Sequence, residues 1–180
     1  MLVLVAYGAP LAARTHEVAG AIMAAGWDVN VVATRSAMDW IDEGALRDTV
    51  GAPARVDYRS PEQPKRGPRP SAVIMCPGTF NSVNKLAGGM ADTYALGVLC
   101  EALGSGVPIL AVPMVNNFLW GHPAWMDTLE RLTHAGVSFI DVRTGRPGSA
   151  AVPSGTGDEV VARFDPSWIT DPLSKLEQTS

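Results

Sequence analysis

Cysteine is scarce in this sequence of 180 residues, which contains only Cys76 and Cys100. No pair of cysteines or histidines has the spacing of a metal site, so the sequence predicts no bound metal. Cys76 closes an apolar run, and Cys100 falls within a predicted helix. Both positions are typical of small core residues.

The sequence also lacks a long basic run. It has 14 Lys and Arg residues against 18 Asp and Glu residues, for a net charge of −4. Because binding to a phosphate backbone requires clustered basic side chains, we expect no nucleic-acid partner. The local group Lys65, Arg66 and Arg69 is interleaved with proline and glycine, which is typical of a solvated loop.

Long apolar segments are missing as well. The first ten residues, MLVLVAYGAP, are too short to span a bilayer and carry no basic leader. We therefore expect no membrane partner and a cytoplasmic protein. Hydrophobic residues make up 47% of the chain and charged residues 18%, which fits an ordinary globular protein. The length predicts a single domain over residues 1–180.

Short apolar runs alternate with longer helical stretches along the chain. This pattern predicts an α/β fold, a Rossmann-like (flavodoxin-type) three-layer sandwich with a parallel sheet of about six strands. Helices are predicted over 11–25, from 37, over 82–103 with a break near Gly88 and Gly89, and over 125–135. The predicted strands are 2–6, 29–33, an edge strand at 55–58, 72–76, 107–112 and 137–142.

Small and polar residues follow four of these strands directly. In parallel sheets, ligands bind at the carboxyl ends of the strands, and hydroxyls with free backbone N–H groups suit a phosphate. The first loop has no G-x-G-x-x-G, so a mononucleotide fits better than a dinucleotide. The alternative is that Thr34, Ser36, Thr79 and Ser82 serve only as helix N-caps. The four loops are 8–10, 34–36, 77–82 and 113–120.

Two ordered motifs carry a family resemblance. Residues 77–92, PGTFNSVNKLAGGMAD, resemble the P-A-S/T-A-N-T motif of the homo-oligomeric flavin-containing cysteine decarboxylases, with its downstream Lys and G-x-x-D. Residues 113–123, PMVNNFLWGHP, are similar to the P-x-M-N-x-x-M-W motif of that family with its trailing H-P. More loosely, the resemblance extends from residue 1 to about residue 142.

The resemblance implies FMN as cofactor, bound between the subunits of a homotrimer or homododecamer. The phosphate would lie near one set of residues and the ring system near another, while Asn116 would be the catalytic residue that orients the substrate carboxylate. In that family the flavin oxidises a cysteine side chain, so that the adjacent carboxylate leaves as CO2. The implied phosphate-side residues are Gly8, Ala9, Thr34 and Ser36, and the ring-side residues are Thr79, Phe80, Asn81 and Ser82.

The sequence departs from the family at three places. The family's catalytic histidine aligns with Gln63, and the three histidines, His16, His122 and His134, lie elsewhere. Val115 and Leu119 replace two motif methionines. Residues 142–180 are expected to form a flap and C-terminal tail, but the glycine-rich stretch 153–158 contains no cysteine.

These departures leave three hypotheses. The first is an FMN-dependent decarboxylase or oxidoreductase acting on a cysteine-containing or related small-molecule or peptide substrate other than phosphopantothenoylcysteine, assisted by water, Tyr58 or Arg59. The second is a non-catalytic FMN-binding or regulatory homologue. The third, a flavin prenyltransferase-like enzyme, is the weakest, because the expected C-terminal arginine pattern is not evident.

Overall fold

The computed structural model describes residues 1–60, 62 and 69–177. Gln63 and two residues of the predicted solvated loop, Lys65 and Arg66, lie outside the described residues. No helix of the described chain is long and apolar enough to cross a membrane.

The centre of the fold is a parallel sheet with strand order β2-β1-β3-β4-β5. Every residue of β1, β3 and β4 is buried, because helices cover both faces of the sheet. This arrangement confirms the predicted α/β fold. The strands are β1 (Leu2–Ala6), β2 (Val29–Ala33), β3 (Ala72–Gly78), β4 (Ile109–Pro113) and β5 (Val137–Phe139).

The helices lie on both sides of this sheet. A 3-10 helix (Pro10–Arg14) precedes the first of them. The predicted break between two helices near Gly88 and Gly89 is confirmed, since Gly89 has a φ of +69° in the turn that separates α4 from α5. The α-helices are α1 (Thr15–Ala24), α2 (Arg35–Met38), α3 (Glu43–Val50), α4 (Phe80–Ala87), α5 (Tyr94–Gly104), α6 (Asn117–Trp120), α7 (Ala124–His134), α8 (Gly157–Arg163) and α9 (Ser167–Glu177).

Alternate residues of β1 pack into two hydrophobic cores, one on each face of the sheet. Leu2 and Leu4 pack with α1, α3, α8 and α9 on one face of the sheet. Val3 and Val5 pack with α4, α5 and α7 on the other face. This alternation follows from the two-residue repeat of a strand. Cys76 is buried as predicted, whereas Cys100 is only partly buried.

The described residues form a sheet of five strands, which agrees with the predicted parallel sheet of about six. The expected edge strand over 55–58 is reduced to one bridge between Val32 and Arg55. The segment continues with exposed Asp57 and Tyr58, so it offers no buried apolar face to hold it against the sheet. The Tyr58 ring instead contacts Tyr94 at the start of α5.

The C-terminal region returns to the face covered by α1. Ile169 and Leu173 of α9 are buried in that core. The guanidinium of Arg14 donates hydrogen bonds to the carbonyl oxygens of Val161 (2.7 Å) and Phe164 (2.5 Å). These contacts tie the end of α8 to the start of α1. A flap role for residues 142–180 stays a prediction.

Candidate functional site

A cavity of about 760 Å³ opens at the carboxyl ends of β1, β2 and β3. It brings together six of the eight residues predicted to bind the cofactor: Gly8, Thr34, Ser36, Thr79, Asn81 and Ser82. The first three of the four predicted loops therefore meet at one edge of the sheet. The fourth, 113–120, contributes none of the lining residues.

Gly8 and Ser36 bring the first two loops into contact. A Cβ atom on Gly8 would lie 2.8 Å from Ser36 Oγ and 2.9 Å from Ser36 O, so no side chain fits between the loops. The Thr34 hydroxyl accepts a hydrogen bond from Ala37 N (3.2 Å) and lies 3.1 Å from Ser36 Oγ. Thr34 is thus an N-cap of α2, whereas Ser36 is an exposed hydroxyl beside it.

Backbone donors surround these hydroxyls. Within the described part of the chain, the N–H groups of Gly8, Arg35 and Ser36 donate no hydrogen bond. Free N–H groups beside two hydroxyls are the donor set that a phosphate needs. The nearby Arg35 side chain pairs with Asp57 at 2.6 Å, and both side chains are largely exposed.

Thr79 and Ser82 form a capping box at the start of α4. Ser82 N donates to Thr79 Oγ1 (3.2 Å), and Thr79 N donates to Ser82 Oγ (2.8 Å). Ser82 is 1% exposed and its hydroxyl also donates to Thr79 O at 3.0 Å, so the N-cap interpretation holds for these two residues. Asn81 is exposed, and its side chain forms no hydrogen bond with the described residues. It is the polar side chain of this loop that is left for a ligand.

Three predicted site residues lie outside the cavity lining. Ala9 is buried in the core beside α1. Phe80 stacks on Trp125, with ring centroids 5.3 Å apart. Asn116 caps α6, and its Oδ1 accepts hydrogen bonds from the N–H groups of Phe118 and Leu119, both at 3.0 Å. Their roles toward a ligand stay predictions.

The cavity lining also contains residues beyond the predicted cofactor-binding set, among them Tyr58, which the first hypothesis names as an assisting residue. Lys85 and Asp92 form an ion pair at 2.5 Å, and the motif of the resemblance contains both. Thr93 caps α5 by accepting a hydrogen bond from Leu96 N at 3.2 Å, and a threonine before an apolar helical run is a recognisable start signal. Tyr58 and Tyr94 complete this side with ring centroids 5.2 Å apart, and no sequence pattern predicts that contact.

Burial controls the acidity of groups around the cavity. Tyr7 lines it and is 5% exposed, and its hydroxyl has no hydrogen-bond partner among the described residues. Burial, followed by the proximity of Cys100 and Asp92, raises the pKa of the Tyr7 phenol well above its usual value. Burial likewise raises the pKa of Cys76 to about 12 and raises the pKa of Cys100. Neither thiol is therefore activated as a nucleophile at neutral pH.

None of the three histidines lies among the residues described as lining the cavity. His122 Nδ1 accepts a hydrogen bond from Ala124 N at 3.1 Å. The ring centroids of His122 and Phe80 are 5.6 Å apart. His134 Nδ1 lies 2.9 Å from Glu130 O in the last turn of α7.

The second motif lies alongside the glycine-rich stretch 153–158. Asn117 Oδ1 accepts a hydrogen bond from Ser154 N at 2.7 Å, and Asn117 N donates to Val152 O at 2.9 Å. Phe118 is 76% exposed, whereas Trp125 is fully buried. Trp125 thus belongs to the core and Phe118 to the surface.

Comparisons with known proteins agree with this architecture. A PPC decarboxylase mutant superimposes with a TM-score of 0.73 at 16% identity, covering 99% of this chain and 98% of that one. The FMN binding protein AtHal3 gives a TM-score of 0.71 at 19% identity, with 99% and 97% covered. At these identities the likeness shows a shared fold.

Sequence relatives point the same way. The coenzyme A biosynthesis bifunctional protein CoaBC of Thermococcus kodakarensis is 34% identical over 82 residues, which are 46% of this chain and 20% of the relative. The CoaBC protein of Mycolicibacterium smegmatis is 25% identical over 126 residues, which are 68% of this chain and 30% of the relative. The chain thus spans less than a third of these two curated relatives. The sequence profile of the Flavoprotein family matches residues 1–162, and the chain belongs to that family.

Proposed function

We propose that this chain binds FMN in the cavity at the carboxyl ends of β1, β2 and β3. The observation that carries the proposal is the convergence of Gly8, Thr34, Ser36 and Asn81 on one cavity of about 760 Å³. This volume falls within the range of small-molecule and cofactor sites. Family membership supports a flavin, and the lack of a dinucleotide fingerprint supports a mononucleotide.

The residues present fit the phosphate of FMN. The N–H groups of Gly8, Arg35 and Ser36 have no acceptor among the described residues, and the Ser36 hydroxyl, paired with that of Thr34, lies beside them. The charged side chains nearby are paired, Arg35 with Asp57 and Lys85 with Asp92. Hydrogen bonds from backbone and hydroxyl groups would therefore hold the phosphate. The stretch 79–82 would face the ring system, with Asn81 as its free polar side chain.

We further propose a flavin-dependent decarboxylase or oxidoreductase acting on a cysteine-containing or related small molecule or peptide. FMN, when bound, supplies two-electron redox chemistry, and the protein supplies orientation. Asn116 suits the orienting role, because its Oδ1 caps α6 while its Nδ2 group makes no hydrogen bond with the described residues. That N–H2 group is left to donate to a substrate carboxylate.

Asn116 does not line the cavity of its own chain. The proposal therefore includes a homo-oligomer, a trimer or dodecamer, in which FMN lies at a subunit contact and Asn116 serves the site of a neighbouring chain. The exposed Phe118 beside it, at 76% exposure, supplies an apolar contact surface. A cytoplasmic location belongs to the same proposal.

The second candidate is a non-catalytic FMN-binding or regulatory protein. It is favoured by one observation: no histidine lies among the residues described as lining the cavity. A neutral group does not replace a base that titrates near pH 7. In this alternative the flavin binds, but the substrate is not turned over.

The first test is FMN binding. The purified protein is expected to be yellow, or to perturb the flavin absorbance band when titrated with FMN. A colourless chain that leaves the spectrum of added FMN unchanged would overturn the proposal.

The second test is anaerobic mixing of the FMN-loaded protein with cysteine-ended peptides or phosphopantothenoylcysteine. Loss of the oxidised-flavin band and release of CO2 with one or both substrates support the enzyme. A band that stays unchanged with both substrates supports the binding protein.

A further inference from the structure

Tyr58 and Gly97 meet at the edge of the cavity. Tyr58 lines the cavity, and its hydroxyl occupies the space in which a Cβ atom of residue 97 would lie. The ring carbons Cζ and Cε1 would be 3.4 and 3.7 Å from that atom, which is ordinary contact. The tyrosine hydroxyl thus occupies the space of a side chain at position 97 and would have to move to admit one.

Gly97 has no backbone reason to be a glycine. It lies within α5, and its φ is not in the left-handed region. Inside a helix glycine is less favourable than alanine. Gly104, on the same helix, has open space around its Cβ position, so it offers a matched comparison. The glycine at position 97 is explained by the hydroxyl of Tyr58 that rests on it.

Two more contacts hold the Tyr58 ring against the first turn of α5. Its hydroxyl lies 3.5 Å from Thr93 O, and its ring is T-shaped to that of Tyr94, with centroids 5.2 Å apart. Tyr58 is nevertheless 56% exposed. An aromatic ring that is fixed by its neighbours but open on one side loses little further freedom when a ligand packs on it.

We infer that Tyr58 is a ligand-binding residue whose ring stacks on the planar ring system of FMN, and that Gly97 is the positioning residue that lets it do so. The inference rests on the proposed binding of FMN in this cavity. Aromatic stacking suits the site, because the charged pairs Arg35–Asp57 and Lys85–Asp92 are already neutralised by their partners.

The stacking is tested by FMN titration of the full-length protein, followed by flavin fluorescence. Tyr58→Ala removes the ring and is expected to raise the Kd for FMN roughly tenfold, the effect of one lost aromatic stack. Tyr58→Phe keeps the ring and should leave the Kd within about twofold. An unchanged Kd in Tyr58→Ala, with FMN still bound, would overturn the inference and leave the proposed function intact.

The role of Gly97 is tested by rescue. Gly97→Ala should raise the Kd for FMN about as much as Tyr58→Ala does, because the added methyl group displaces the Tyr58 side chain while α5 stays in place. Tyr58→Phe removes the hydroxyl oxygen that collides with a side chain at position 97. Gly97→Ala added to Tyr58→Phe should therefore leave the Kd for FMN near that of the unmodified protein. Gly104→Ala is the matched control and should change nothing.

Thermal unfolding of the FMN-free variants separates this effect from misfolding, since all are expected to keep a cooperative transition near that of the unmodified protein. Equal weakening by Gly97→Ala in both backgrounds would contradict the inference. If the unmodified chain binds no FMN, the proposed function fails and this inference fails with it.

Discussion

The α carbon of Gly8 packs so closely on Ser36 that a methyl group there would lie 2.9 Å from the Ser36 backbone oxygen. This contact joins the loops that follow β1 and β2, and both loops line the cavity. It fixes the distance between the free N–H groups of Gly8 and Ser36. The geometry of the proposed phosphate site therefore depends on a glycine at position 8.

Gly8→Ala is expected to lower the free energy of unfolding by about 1–3 kcal/mol, because a tightly packed contact has no room for the added methyl group. FMN affinity should fall by at least about tenfold, since the two loops must separate. Urea unfolding and FMN titration measure the two effects. Ser36→Ala should not rescue this variant, because the backbone oxygen of residue 36 still collides. A rescue would show that only the hydroxyl matters.

Much of this edge of the sheet could be predicted from sequence. The apolar runs before Gly8, Thr34 and Thr79 mark strands, and strands of a parallel sheet bring their carboxyl ends together. The capping role of Thr79 follows from its place before a helix. Apolar strand runs and helix caps are determined by residues that are neighbours in the sequence, so the folded structure retains them.

The remainder depends on contacts between distant segments. The β-rich residues at 55–58 predict a strand, but Tyr58 is held by Tyr94 instead. Gly97 is an unfavourable helix residue in the sequence, and only the structure shows that the hydroxyl of Tyr58 contacts it. Asn116 follows a strand end, like the other site residues, and still lies outside the cavity lining. No periodicity in the sequence encodes these relationships.

The buried thiol of Cys76 makes stability depend on alkaline pH. Burial raises the pKa of this thiol from 9.0 to about 12, so the folded chain keeps a proton that the unfolded chain loses above pH 9.0. The stabilisation is complete below pH 9.0 and is lost as the pH rises toward 12. This group contributes a slope of at most about 1.4 kcal/mol per pH unit to the decrease.

Cys76→Ala should flatten this part of the pH profile, while lowering stability at neutral pH through lost packing. Urea unfolding at intervals from neutral to alkaline pH measures both effects. Cys100 is only partly buried, so Cys100→Ala is the control and should flatten the profile less. Parallel profiles for the unmodified protein and Cys76→Ala would contradict the assignment.

Arg14 links the C-terminal region to the body of the fold. Its guanidinium donates to Val161 O (2.7 Å) and Phe164 O (2.5 Å), and the Arg14 side chain is only 19% exposed. Arg14→Ala removes two charge-assisted hydrogen bonds and should lower the free energy of unfolding by about 2–4 kcal/mol. Hydrogen exchange should rise in residues 157–164 before it rises in the sheet.

Glu17→Gln provides the matched comparison. It breaks the ion pair of Glu17 with Arg14 at 2.5 Å but leaves both carbonyl contacts of Arg14 in place. Because the pair lies at the surface, the loss should stay below about 1 kcal/mol. Equal effects of the two substitutions would show that the ion pair, and not the contacts with α8, stabilises this region.

Asn116 combines a structural and a proposed catalytic role in one amide, and two substitutions separate them. Asn116→Ala removes the Oδ1 cap of Phe118 N and Leu119 N as well as the free Nδ2 group. It should therefore lower stability by about 1 kcal/mol and also abolish substrate orientation. Asn116→Asp keeps an oxygen to cap α6 but replaces the donor by a negative charge, which repels a substrate carboxylate.

Asn116→Asp is thus expected to unfold like the unmodified protein and to bind FMN with the same Kd, while kcat/KM falls about a hundredfold or more. Stability is read from urea unfolding, FMN binding from fluorescence, and turnover from CO2 release with a cysteine-ended peptide. Loss of FMN in parallel with activity would assign Asn116 to the cofactor instead of the substrate. Full activity in Asn116→Asp would confine the residue to capping α6, because the cap is the one interaction that this substitution preserves.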